Sequence, residues 1–128
     1  MSAKALLDIA LDGGRTAYEP GEAVAGTASW EAAEAPAVVE LRLFWFTKGK
    51  GVQDLSVVDK VRFDAPLSRE DRPFKLALPE GPYSFTGRLV SLVWALELVA
   101  LPGDEAARTE IVIAPGAQAV ILPTEDVT

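Results

Sequence analysis

Carboxylates recur at Asp54, Asp59, Asp64, Asp71, Asp104 and Glu105. Two such groups facing one another across a cleft could cleave a glycosidic bond as acid and base or nucleophile. Asp59 and Asp64 stand an odd number of residues apart, so a regular strand sends them to opposite faces. The carboxylates therefore read as solvated charges near turns and sheet edges. The other chemical candidate is Thr47-Lys48-Gly49-Lys50-Gly51. Glycine amides and two ammonium groups could hold a phosphate or carboxylate there, which makes Lys48, Gly49, Lys50 and Gly51 anion-loop candidates. The stretch lacks the full GxxxxGK[ST] spacing and no helix is expected after it, so it is no nucleotide loop. Its plain reading is a hairpin tip kept soluble by lysine.

What is missing narrows the chemistry further. The chain has no cysteine, so disulfides, zinc–thiolate sites and cysteine nucleophiles are excluded. It has no histidine either, which removes the usual proton shuttle and the commonest metal ligand. Ser-His-Asp and HExxH schemes fall with it. No metal or cofactor is expected. A net charge of −7 repels nucleic acid and anionic membranes alike. The start, Met1 to Asp8, reads as neither a secretory signal nor a membrane span, and the chain is read as cytoplasmic.

The elements that must position these residues are strands. Hydrophobic residues make up 49% of the 128, yet no segment sustains a helical period. Instead, short alternating runs are broken by Gly, Pro, Asp and Glu. Leu7, Ile9 and Leu11 mark a first strand, and Glu22–Trp30 a second, with Ala23, Ala25, Thr27 and Ser29 on one face. In the third, Val39, Leu41, Leu43 and Trp45 share a face, and Glu40, Arg42, Phe44 and Phe46 take the other. Val57, Val61 and Phe63 define a fourth, and Phe74, Leu76 and Leu78 a fifth. The sixth is long, with Val90, Leu92, Trp94, Leu96 and Leu98 on one side. Ile111 and Ile113 make a seventh, and Ala119–Leu122 a short eighth. This predicts an all-β fold, an immunoglobulin-like antiparallel β-sandwich of about seven to eight strands. Parallel pairing is not expected, since no crossover helix is in sight. Residues 1–122 are assigned to one domain and 123–128 to an acidic tail.

Two stretches carry a family resemblance. The first is Tyr18-Glu19-Pro20-Gly21-Glu22-Ala23-Val24-Ala25-Gly26, followed by Val38-Val39-Glu40-Leu41-Arg42-Leu43. The second runs Phe74-Lys75-Leu76-Ala77-Leu78-Pro79, then Pro82-Tyr83-Ser84-Phe85-Thr86-Gly87, then Val93-Trp94-Ala95-Leu96-Glu97-Leu98. In order and spacing over about 80 residues, these resemble the arrestin-like families: arrestins, proteins with arrestin domains, and the retromer arrestin-fold subunits. The resemblance implies the fold of the N-terminal sandwich and a scaffolding habit. It does not imply receptor-phosphate sensing, because Lys4-Ala5-Leu6 lacks the consecutive basic residues that task needs.

The function that follows is a non-catalytic protein-interaction or scaffold module. Two alternatives stand beside it: a structural immunoglobulin-like domain of a larger assembly, and an enzyme built on carboxylates or lysine. The interface is placed on Phe44 and Phe46, which alternation turns away from the core. If the third and sixth strands pair, Val93 and Ala95 extend an exposed cluster there. The partner is a protein or a second copy of the chain.

Overall fold

A computed structural model describes residues 5–49, 53–103 and 105–121. The predicted tail at 123–128 lies outside them, as do Lys50 and Gly51. Ten strands follow in order: β1 (Leu6–Leu11), β2 (Ala17–Tyr18), β3 (Ala23–Glu31), β4 (Val38–Gly49), β5 (Leu55–Phe63), β6 (Arg69–Ala77), β7 (Phe85–Thr86), β8 (Val90–Leu101), β9 (Ala106–Ile113) and β10 (Val120–Ile121). One sheet has the order β1-β3-β6. The other runs β10-β7-β8-β4-β5, with β9 also paired to β8 and β2 to β9. The facing sides bury one core, with Ile9, Val24, Trp30, Phe74 and Leu76 on one sheet and Leu41, Leu43, Trp94, Leu96 and Leu98 on the other.

The alternation predicted for the third and sixth strands holds over most of their length. Val39, Leu41 and Leu43 are fully buried, and so are Trp94, Leu96 and Leu98. The main ladders are antiparallel, but two short parallel pairings were not expected. Ala17–Tyr18 of β2 lies beside Val112–Ile113 of β9, and Val120–Ile121 of β10 beside Phe85–Thr86 of β7. A crossover helix is needed only when parallel strands follow one another directly. Here other strands of the sandwich make the connection.

The motif residues act as corner locks. Glu22 N–H donates to the Glu19 carbonyl (3.1 Å), with Pro20 and Gly21 between them and Gly21 at φ +80°. That is a type II turn, which proline and glycine favour at those two places. Arg15 forks onto the Glu22 carboxylate, which also accepts the Glu19 amide (2.8 Å). Close by, on the same end of β9 that Tyr18 pairs with, Ser84 is buried and pairs twice with Ile113: its amide donates to the Ile113 carbonyl (2.7 Å) and its Oγ accepts the Ile113 amide (3.0 Å). The Trp94 indole donates to the Pro82 carbonyl (2.7 Å). Phe85, expected to plug one end of the core, packs against it partly buried.

Candidate protein interface

Four strands, in the order β5-β4-β8-β9, make the face of the large sheet turned away from the core. The predicted β4–β8 pairing is present, with Phe44 opposite Ala95 and Phe46 opposite Val93. Phe44 and Phe46 do lie on this outer face, their rings stacked 5.9 Å apart. The expected exposure of the four residues needs correcting, however. Phe44 is only 3% exposed and Ala95 is fully buried, while Phe46 and Val93 are half-buried.

The cover comes from side chains of the same face. The Arg108 guanidinium of β9 lies 4.9 Å from the Phe44 ring centre and 5.4 Å from that of Phe46. Its Nη2 also pairs with Glu97 (3.2 Å). Lys48 Nζ sits 5.7 Å from the Phe46 ring and 3.6 Å from a Glu110 carboxylate oxygen. Cations over aromatic faces at such distances contribute about 0.5–1 kcal/mol each where water has access.

β5 supplies apolar exposure that sequence periodicity placed elsewhere. Leu43 faces Asp59, yet the next residue, Phe44, faces Val57, so Val58 is an extra residue in the ladder. A β-bulge of this kind reverses the facing of everything beyond it. Val61 and Phe63 keep to the core side, opposite Leu41 and Val39, whereas Val57 joins Phe44 on the outer face. The expectation that Val57, Val61 and Phe63 share a face is therefore corrected. Leu55, opposite Phe46, also comes outside. Leu55 is 61% and Val57 50% exposed. The signal available was the adjacent pair Val57-Val58, which no strict alternation accommodates.

The outer face thus divides into cross-strand rows. Leu55–Phe46–Val93 and Val57–Phe44–Ala95 are apolar. Next come Lys60–Arg42–Glu97–Arg108 and then Arg62–Glu40. Glu40 is only 5% exposed. It accepts from Arg42 Nε (2.8 Å) and lies 3.9 Å from Arg62. The Arg42 hydrogen bond holds its carboxyl below the usual range; burial opposes this, and the charges of Arg42, Lys60 and Arg62 add to the lowering.

The predicted anion loop comes out differently. β4 continues through Lys48 and Gly49, paired with Ser91 and Val90, where a strand break was expected. Lys48 is engaged with Glu110 and Phe46, while Lys50 and Gly51 lie outside the described residues. Of the carboxylates, Asp104 lies outside the described residues, and no group of three or more potential metal ligands occurs among those described. At the fork between β7 and β9, a cleft of about 200 Å³ is lined by Thr16, Ser84, Thr86 and Ser91, with Glu110 as its titratable group. No helix of the described residues is long and apolar enough to cross a membrane.

Against known proteins, no family model matches the chain, and no curated protein matches it in sequence. Among solved structures, it is similar to the sporulation control protein Spo0M from Bacillus subtilis, with a TM-score of 0.62 and 22% identity. The match covers 88% of this chain and 50% of Spo0M, so the chain spans about half the length of that protein. Slighter likenesses reach the alkylpurine DNA glycosylase AlkC from Pseudomonas fluorescens (TM-score 0.43, 10% identity, 88% of this chain and 31% of that one) and a β-glucosidase from Listeria innocua (TM-score 0.47, 10% identity, 93% and 16%). Those two are too slight to bear on this protein. With the two sheets and motif corners described above, the fold is an arrestin-like β-sandwich.

Proposed function

We propose that the chain is a non-catalytic protein-interaction module of arrestin type, working in the cytoplasm through the outer face of β5-β4-β8. The observation that carries this reading is the pair of apolar rows that end on Leu55 and Val57, both at least half exposed at one sheet edge. Phe44 and Ala95 form the floor, Phe46 and Val93 the half-buried middle, and Lys48 and Arg108 the charged rim. Apolar centres with charged rims are a common make-up of protein interfaces. Covering Leu55, Val57, Phe46 and Val93 would contribute about 1.5–3 kcal/mol for each side chain taken fully from exposed to buried, before association costs. The half-buried pair contributes correspondingly less. A regulatory role of the general kind named for Spo0M is consistent with an interaction module.

The experiment is affinity capture from source-cell extract with the wild type and with Phe46→Asp combined with Leu55→Asp. Leu55 is open to water and Phe46 half-buried, so thermal melting of the variant beside the wild type checks that the fold is kept. A protein retained by the wild type and lost by the variant supports the reading. Identical capture by both proteins overturns it.

A further inference from the structure

A sheet edge offers unpaired main-chain groups to any strand that can lie against it. Most edges of this fold are blocked. β2 and β10 have two residues each, β6 carries Pro73 in mid-strand, and β1 runs beside β9. β5 is different: nine residues without proline, pairing only with β4 among the described strands. Its Lys60 amide donates to the carboxylate of the adjacent Asp59 (2.8 Å), an exposed bond at this edge.

The outer side chains of β5 are polarised along its length. Leu55 and Val57 stand at one end, Lys60 and Arg62 at the other. Lys60 has no ion pair among the described residues, and Arg62 approaches Glu40 only to 3.9 Å. Among the strand residues of this face, Arg42, Lys48, Lys60, Arg62 and Arg108 outnumber Glu40, Glu97 and Glu110, although the whole chain carries −7. A second copy fits this edge poorly. Two-fold antiparallel pairing of β5 with itself would set Lys60 and Arg62 either against each other or against Leu55 and Val57. Both arrangements are unfavourable.

We infer that β5 accepts an added strand from an acidic partner protein. The segment runs antiparallel to β5, with alternate carboxylates opposite Arg62 and Lys60, followed by alternate aliphatic side chains over Val57 and Leu55. This inference rests on the interaction reading above and names the chemistry of its partner. Asp59 acts as a guard, because an incoming strand must displace its carboxylate from the Lys60 amide.

The probe is a blocked peptide of alternating threonines carrying two glutamates and then valine and leucine, titrated into isotope-labelled protein and followed by NMR. Amide shifts should centre on Ser56–Arg62 and the affinity should fall as salt rises. Lys60→Glu with Arg62→Glu should weaken binding on the order of tenfold and restore it for a peptide with lysines in place of glutamates. Asp59→Ala should tighten binding. Absence of β5 shifts at millimolar peptide, indifference to the double charge reversal, or dimerisation of the wild type through β5 overturns the proposal. Capture lost with the Phe46 and Leu55 variant while the peptide leaves β5 unshifted would sink strand addition alone. Shifts on β5 with capture unchanged would sink the broader face as the docking surface.

Discussion

Replacing Trp94 by alanine tests the core at the point where most of the fold converges. Trp94 has no exposed surface and stands in β8 between Trp45 of β4 and Ile111 of β9. Its indole also closes the Pro82 corner through a 2.7 Å hydrogen bond. Large-to-small aromatic truncation in a core costs about 3–5 kcal/mol. Losing the hydrogen bond to the carbonyl of Pro82, an exposed residue that water can serve instead, adds about 0.5–1.5 kcal/mol. The sum reaches the lower end of the stability of an ordinary domain, about 5–15 kcal/mol. Trp94→Ala should therefore sit close to unfolding, and Trp94→Phe, which keeps most of the volume but loses the donor, separates the two contributions. Urea denaturation followed by circular dichroism gives both values, with unchanged m-values required for the comparison. The alanine variant should lose at least about 3 kcal/mol and the phenylalanine variant about 0.5–1.5 kcal/mol. An alanine variant that loses less than about 1 kcal/mol would refute the assignment of this side of β8 to the core.

Gly26→Val should abolish folding or cost well over 2 kcal/mol by thermal melting, because a Cβ at Gly26 would meet the Ala10 carbonyl oxygen at 2.3 Å, a backbone atom that cannot swing away. Glu40 has a folded pKa below its ordinary value near 4.5, so its contribution is complete above that value and is lost as pH falls through the folded pKa. The melting temperature should drop on acidification below about pH 4.5, and Glu40→Gln should flatten part of that slope. Arg108→Ala should cost about 1 kcal/mol and raise binding of a hydrophobic dye, since it uncovers the Phe44 and Phe46 rings.

Alternation carried the fold a long way. β3, β4 and β8 alternate because one face of each is buried, and burial is what writes a period of two into a sequence. The turn residues were equally legible: Pro20 and Gly21 occupy the two places of a type II turn that favour them. The bulge at Val58 left one trace in the sequence, the adjacent pair Val57-Val58, but an extra residue is fixed only against its partner strand. Its effect was large, because it moved Val57 and Leu55 to the outer face and shifted the exposed apolar surface toward the edge. The two short parallel pairings escaped for a similar reason. Two residues carry no periodic signal, and their neighbours are distant in sequence.

The burial of Phe44 shows why parity alone could not locate the exposed apolar surface. Parity sets which face a side chain takes, while exposure depends on what stands beside it across the sheet. Phe44 lies on a central strand opposite Ala95, and the small Ala95 side chain leaves room for Arg108 of β9 to reach over β8 onto the ring. Val57 is beside the same ring but on the edge strand, with no strand beyond it among those described. The surface left open is therefore the one at which apolar side chains and unpaired main-chain groups coincide. Bulky side chains on the outer face of β8 would have buried Phe44 without Arg108, and the rim would have lost the cation that sits between both rings. With Ala95 there, one arginine covers the two aromatics and pairs with Glu97, while Lys60 and Arg62 stay available at the edge. That division of the cations, some closing the face and others left open beside Leu55 and Val57, is what the proposed preference for an acidic strand rests on.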